Sequence, residues 1–353
     1  MSFRTKRVLF ITPFYMLFEF FLLKYIGLFV GGLNDIYLLL ITILIGLNHF
    51  LPMLFEARKS RRVTRILTTL DGVWMWASVM FFFDLIAIYS IGSFIALSMT
   101  VNVLLLSIVP ILGVYSYWRA HKLVVHEKTL IFTNLERDIN IAHLSDVHFG
   151  SVRHRKIISD IKDKLNTLDC ELAIISGDLA DGSSVVEEDD FMAFKDVKMP
   201  VIFTPGNHDY YPGIENVIKA CKKAGIIVLN NESVEFECLN IYGRSYSIED
   251  TGIPEVDKSS IRPGMLNIIN YHVPYHWDWF SDLGFDIQLS GHTHGGQFYP
   301  VVWFGNLMFG YNMGLFRNKS GGYLHVTTGV GSMDTPMRWG TDSEIVVLKL
   351  KKQ

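Results

Sequence analysis

Apolar positions fall into two regimes along the chain. Between Val8 and Phe55 only Glu19, Lys24 and Asp35 carry formal charge, and between Ile66 and Trp118 only Asp71 and Asp84 do. A helix needs roughly 20 mostly apolar residues to cross a hydrocarbon core about 30 Å thick, so each region is long enough for a pair of spans. The pattern predicts spans at about 8–30, 36–55, 70–90 and 93–117, joined by "GGLND", a basic loop and "SIGS". Runs such as "FFFDLIAIYSIGSFIALSM" offer no polar face to water, which argues against a soluble helical core. The first run is too long for a signal-peptide core and is not followed by a small-residue cleavage site.

From about residue 124 short apolar runs alternate with amphipathic segments. "INIAHLS" (139–145), "LAIIS" (172–176), "PVIFT" (200–204), "LNIINY" (266–271) and "FDIQLS" (285–290) read as buried strands. Ile157, Ile158, Ile161 and Leu165 share one helical face, and Ile214, Val217, Ile218 and Cys221 share another. The alternation predicts α/β layering with ligands at strand carboxyl ends. The division expected is a membrane domain over residues 1–118 and an α/β domain over 119–353.

Charge sharpens that division. Residues 1–118 hold nine Lys/Arg against five Asp/Glu, a net of +4, so a whole-chain net of −3 leaves −7 for residues 119–353. An acidic soluble part argues against nucleic acid as a partner and suits carboxylates gathered around cations. Basic residues collect before span one (Arg4, Lys6, Arg7), between spans two and three (Arg58–Arg65) and after span four (Arg119, Lys122). The other two connectors have none. Positive-inside bias then predicts both termini and the α/β domain in the cytoplasm, in an inner or plasma membrane. Three cysteines without CxxC spacing agree with a reducing compartment.

The loops just past the strands carry the chemistry. "DVHFG", "GDLADG", "PGNHD", "HVP" and "GHTHGG" each deliver Asp, Asn or His at a strand end, most with glycine alongside. Strand ends of one sheet converge, so these side chains share a cleft, and glycine clears room for an ion and a substrate. Imidazole and carboxylate without thiolate suit Mn²⁺, Fe or Zn²⁺. The donors are too many for one ion, so two divalent metals about 3.5–4 Å apart are expected, with Asp178 well placed to bridge.

The ordered set Asp146-x-His148, Gly177-Asp178-x-x-Asp181, Gly206-Asn207-His208-Asp209, His272 and Gly291-His292-x-His294 resembles the calcineurin-like metallophosphoesterase superfamily. "GHTHGGQ" and the closing "TTGVGS…PMRWG…SEIVVLKL" are similar to its membrane-anchored phosphodiesterase branch, including transmembrane metallophosphoesterases. The resemblance implies four transmembrane helices followed by an αββα sandwich, and a role for each motif residue. Asp146, His148 and His294 would hold one metal, Asn207, His272 and His292 the other, and Asp178 would bridge them. His208 would face the phosphate and protonate the leaving oxygen, held by Asp209, with Asp181 behind the ligands. It also implies manganese-supported hydrolysis of a phosphorylated lipid or lipid-nucleotide, such as UDP-2,3-diacylglucosamine in lipid A synthesis; a broad phosphodiesterase or phospholipid phosphatase is the alternative. A sensor or transporter with a regulatory phosphoesterase domain is the rival class. Relatives often carry Gly-x-Asp-Asp where this chain has "YGRSYSIED", which places Arg244 near the site as a surface residue or a clamp on a second phosphate. Asp84, in mid-span, is expected to find Asn48 or His49 as a partner, or to be protonated.

Overall fold

The computed structural model describes residues 3–353 apart from 57, 248–251 and 253; the side chains of the Arg4–Arg7 cluster lie outside the described set. The chain divides into two compact units, one comprising Met1–Trp118 with Asp334–Met337, the other Arg119–Met333 with Arg338–Gln353.

The first unit is helical: α1 (Phe3–Phe29), α2 (Asp35–Glu56), α3 (Arg62–Gly92), α4 (Met99–Leu106) and α5 (Ile108–Ala120). Val8–Phe29, α2, α3 and the combined Met99–Ala120 are each long and apolar enough to cross a membrane. Apolar side chains such as Phe10, Phe14, Leu44 and Ile111 face outward, as hydrocarbon requires. Two boundaries differ from expectation. α3 begins within the basic loop, and at 31 residues it is about 46 Å long, so its first turns extend past a hydrocarbon core. The last span starts at Ser98, whose hydroxyl caps Val101 N, and is interrupted at Ser107. Pro110, lacking an N–H, cannot continue the hydrogen-bond ladder across that break.

The second unit opens with β1 (Leu123–Phe132), β2 (Ile139–Leu144), α6 (Arg155–Leu165), β3 (Leu172–Ser176), β4 (Val201–Thr204), α7 (Ile214–Lys223) and β5 (Ile227–Val228). It continues with β6 (Glu232–Phe236), β7 (Leu239–Arg244), β8 (Leu266–Tyr271), α8 (Trp277–Leu283), β9 (Ile287–Ser290), α9 (Val301–Met308), β10 (Gly314–Arg317), β11 (Tyr323–Val326) and β12 (Ser343–Lys352). Two six-stranded sheets form, ordered β1-β12-β2-β3-β4-β5 and β10-β11-β9-β8-β7-β6. All five anticipated strands are present.

Strand alternation sorts the core into layers. Ile141, Leu172, Ile174 and Ile202 of the first sheet meet Leu239, Ile241, Ile268 and Leu289 of the second between the sheets. The intervening residues Ala142, Leu144, Ala173, Ile175 and Phe203 pack on α6 and α7 with Ile158, Ile161, Leu165 and Val217. Tyr242, Ile269, Tyr271 and Leu324 cover the far face with Trp277 and Phe280 of α8. Helices therefore flank a double sheet.

At the carboxyl ends of these strands the apolar interlayer gives way to a polar one. His143, Ser176, Thr204, Asn270 and His325 occupy the last inward-facing positions of β2, β3, β4, β8 and β11, all buried. Asn270 Nδ2 donates to Thr204 Oγ1 at 2.9 Å, and Ser176 Oγ donates to Asn270 Oδ1 at 2.5 Å, stitching one sheet to the other. The ligand loops begin directly after this layer.

Candidate metal centre

Two clusters of donors converge there. Asp146, His148 and His294 form one, and Asp178, His272 and His292 the other. His148 Nε2 lies 2.9 Å from His294 Nε2, and His294 Nε2 lies 3.3 Å from Asp146 Oδ1. In the second cluster His272 Nε2 stands 3.0 Å from Asp178 Oδ2, and the same carboxylate oxygen is 3.9 Å from His148 Nε2 of the first. Asp178 thus reaches toward both groups. Asn207 Oδ1 is 3.1 Å from His292 Nδ1, which puts the amide beside the second cluster.

The backbone is bent to bring these donors together. Asp146, His148, Asp178, His292 and His294 all have left-handed φ angles, between 49° and 73°. Such conformations are sparsely populated by non-glycine residues, and clustering of them marks a functional constraint. Neighbouring loops hold them: Asp146 N donates to Gly177 O and His148 N to Asp178 O, each at 3.0 Å. His272 is aimed by the polar layer, its Nδ1 donating to Ser176 O at 2.7 Å. Glycine is required by close approach at Gly206 and Gly291, where a Cβ would fall 2.3 Å from Asp178 Oδ1 and 2.1 Å from Asp146 Oδ2.

These residues fit a pair of divalent ions. His148 Nε2, His294 Nε2 and Asp146 Oδ1 crowd one point, and His272 Nε2 and Asp178 Oδ2 a second, gathered as a cation would gather them. Burial, followed by the field of His272, lowers His292 to about 4. Burial also lowers His294, to about 3, so both imidazoles are neutral and have a lone pair to offer. His272 moves the other way: burial opposes its charge, but the Asp178 and Asp146 carboxylates raise it to about 10. The pocket attracts positive charge beside Asp178.

The remaining anticipated residues divide. His208 stands outside both clusters, half-buried, with its ring 4.9 Å from that of His148. Its Nδ1 is 3.0 Å from the carbonyl oxygen of Asp181, and its backbone N–H donates to Asp178 Oδ1 at 2.8 Å. Asp209 does not hold His208, contrary to expectation. Its buried carboxylate accepts from the backbone amides of Asp178, Ala180 and Gly206 at 2.8–2.9 Å, clamping two ligand loops together. The reason is position: in a single 3₁₀ turn the adjacent side chain points away from His208 toward the strand ends. The Asp181 carboxylate accepts from Ser183 N and Oγ, both at 2.6 Å, which shapes the loop behind His208. Arg244, at the end of β7, is buried and not exposed on the surface; its Nη1 donates to Asn231 Oδ1 and Ser245 O.

Ser176 and the buried pair His143 and His325 were not anticipated. Their signal was a polar residue at the last inward position of an otherwise apolar strand. Arg338 was missed too. Fully buried, its Nη2 donates to the carbonyls of Thr328, Gly329 and Gly331 and fixes the loop whose Gly331 N–H donates to Asp146 O.

Residues 139–296 match the family described as calcineurin-like phosphoesterase. An "uncharacterized metallophosphoesterase" of Helicobacter pylori is 26% identical over 234 residues, covering 64% of this chain and 63% of that protein. "Uncharacterized protein YpbG" of Bacillus subtilis is 30% identical over 251 residues, covering 67% of this chain and 90% of its own length. A "transmembrane protein with metallophosphoesterase domain" of Danio rerio is 28% identical over 239 residues, covering 61% of this chain and 53% of that protein. The chain thus spans less than two thirds of the Helicobacter and Danio relatives.

Proposed function

The chain belongs to the calcineurin-like phosphoesterase family, and from that premise we propose that it is a membrane-anchored, dimetal-dependent phosphoester hydrolase. The observation that carries the reading is the pair of donor clusters sharing Asp178, with His208 beside them and outside them. Asp146, His148 and His294 would hold one ion, Asn207, His272 and His292 the other, with Asp178 between. When bound, two divalent ions supply Lewis-acid charge for the phosphate oxygens and activate water for in-line attack. Mn²⁺ suits the mixed imidazole and carboxylate set, with Fe or Zn²⁺ as alternatives.

The protein's own part is orientation and proton delivery. With Nδ1–H donated to the Asp181 carbonyl, the His208 ring is fixed and Nε2 is the nitrogen free for proton transfer. Protonated there, it neutralises the leaving oxygen, a contribution of roughly 10²–10⁴-fold. Asp209 keeps the Asp178 and Asn207 loops in register, and Ser176 O keeps His272 turned toward Asp178.

For substrate we favour a phosphorylated lipid or lipid-nucleotide, with UDP-2,3-diacylglucosamine the specific candidate. Two features support an apolar moiety. The chain carries four helices able to span a membrane. The loop after His294 leads into α9, whose Trp303, Phe304, Leu307 and Met308 side chains are exposed, and Phe309 sits 6.2 Å ring to ring from His292. The test is hydrolysis by detergent-purified protein with Mn²⁺ across a panel of UDP-lipids, phospholipids and soluble nucleotides. Lipid-linked diphosphates should be cleaved with kcat/KM well above their deacylated counterparts. Equal rates on both would overturn the lipid reading and leave a broad phosphodiesterase; no hydrolysis of any panel member would overturn the enzyme reading itself.

A further inference from the structure

Three helices of the first unit bury ionisable side chains against one another, Glu19 near the middle of a span and Asp71 near the start of another. Glu19 of α1 is fully buried, and its Oε2 accepts from Trp74 Nε1 of α3 at 3.0 Å. His49 of α2 pairs through Nδ1 with Asp71 Oδ2 of α3 at 3.0 Å, and Tyr15 of α1 packs on that imidazole with ring centroids 4.8 Å apart. Tyr15, Glu19 and Asp71 lie within one another's electrostatic reach. The expected partnership with Asp84 is absent: His49 is committed to Asp71, and Asn48 Nδ2 donates to Leu67 O.

The charges in this cluster do not balance. Even with His49 as an imidazolium, two carboxylates leave one negative charge in a bundle whose outer surface is apolar. An isolated buried charge costs several kcal/mol even after relaxation. Glu19 also lies within hydrogen-bond reach of Tyr15 and Ser78, whereas Asp71 Oδ1 has no hydrogen-bond partner among the described residues. Glu19 is fully buried, and the Asp71 side chain is 12% exposed. Among the other charged groups, Lys24 pairs with Asp35, Glu56 accepts from Arg61 N and Thr64, and Asp334 packs its backbone against Gly72, next to Asp71. α4 contributes no titratable side chain. Glu19 lies eleven residues beyond Val8, about 16 Å along the helix and thus near the middle of a span.

We propose that Glu19, Asp71 and His49 form a buried proton-binding site among the membrane helices, in which one exchangeable proton on Glu19 completes the charge balance. Ionisable residues at this depth that face a bundle interior mark proton relays and ion sites. Geometry favours a proton over a metal ion. Among the described residues only the two catalytic clusters bring three His, Cys, Asp or Glu donors to one point, and this cluster does not. A proton needs one oxygen and one acceptor; an ion needs a converging shell. The site is independent of the hydrolytic reading and stands whatever the substrate.

Dicyclohexylcarbodiimide, an apolar reagent that attacks protonated carboxyl groups, tests the proposal in the full-length protein in detergent, read by peptide mass spectrometry. Modification of Glu19 is expected, falling about tenfold per pH unit above its midpoint and indifferent to Na⁺. Half-exposed Asp84 reports that the reagent reaches the helices. Modification of Asp84 alone at every pH overturns the site, and protection by Na⁺ would make it a cation site instead. The infrared carbonyl band of a protonated carboxyl gives a reagent-free reading. It should weaken in the Glu19→Gln/Asp71→Asn double variant, and an unchanged band would overturn the assignment.

Discussion

His143 Nδ1 lies 2.6 Å from His325 Nδ1 in the interior between the two sheets, so only one of the two nitrogens can carry a hydrogen. The neighbours say which. Ser176 Oγ donates to Asn270 Oδ1, so it accepts from His143 Nε2–H at 2.7 Å. His143 Nδ1 is then the acceptor and His325 Nδ1–H the donor. The chain of bonds requires His143 to be neutral, and burial holds His143 well below its usual value and keeps His325 neutral too, down at about 3.

Acid should therefore unfold the catalytic unit through this pair. In the unfolded chain both rings protonate near pH 6.5, while in the fold they stay neutral. Stability is full above that value and is lost as pH falls below it, at about 1.4 kcal/mol per pH unit for each ring. Melting curves between pH 7.5 and 5 should show a shallower slope in a His143→Gln/His325→Gln variant than in the wild type. Parallel slopes would exclude the pair as the source.

Removing Asp178 should empty the centre. Asp178→Ala is expected to lose both metals and nearly all hydrolysis while the sheets still form, because the carboxylate reaches toward both clusters. Elemental analysis decides it, and retention of both ions would refute the bridging role.

His208→Ala separates chemistry from binding. The ring packs on His148 but belongs to neither donor cluster, so metal content should be unchanged while kcat drops by about 10²-fold or more. Loss of metal would reassign His208 as a ligand.

Asp209 should behave as a structural clamp. Its carboxylate satisfies three backbone amides, and hydrogen bonds to a charged group are worth about 1.5–3 kcal/mol each without strict additivity. Asp209→Ala should cost about 3 kcal/mol or more and lower Tm by about 6–12 °C. A normal Tm with depressed kcat would return Asp209 to the chemistry.

Orientation of the catalytic unit can be read by cysteine labelling in intact cells. Lys156, whose side chain is 85% exposed, and Asn34, in the first connector, are suitable positions. In a Cys170→Ser background, Lys156→Cys should resist a membrane-impermeant maleimide until the cells are opened, and Asn34→Cys should react at once. The reverse pattern would place the unit outside and exclude a cytoplasmic lipid-nucleotide.

The ligand loops were legible because each comes after a fully apolar strand, and an abrupt Asp, His or Asn beside glycine has no packing explanation. The Asp209 clamp was not, since sequence places it next to His208 without showing which way a side chain leaves a 3₁₀ turn. Nor was the Glu19–His49–Asp71 cluster. Those residues sit on three separate helices, and hydropathy does not show which faces meet. "FYPVVWFGNLM" mixes apolar residues with no clear period, which hid α9. β1 and β12 were obscured by distance: Leu123 pairs with Ser343 and Phe132 with Lys352.

That last pairing bears on how the protein is made. β12 is inserted between β1 and β2, so β1 has no ladder partner, and β2 has only β3, until residues 343–352 arrive. During synthesis β1 emerges just after α5, and a ten-residue edge of open N–H and C=O groups waits while some 200 further residues are translated. Sheets closed by such distant pairing assemble slowly. A ribosome that stalls before residue 343 would leave that edge bare at the membrane, where another nascent chain or a chaperone could occupy it first.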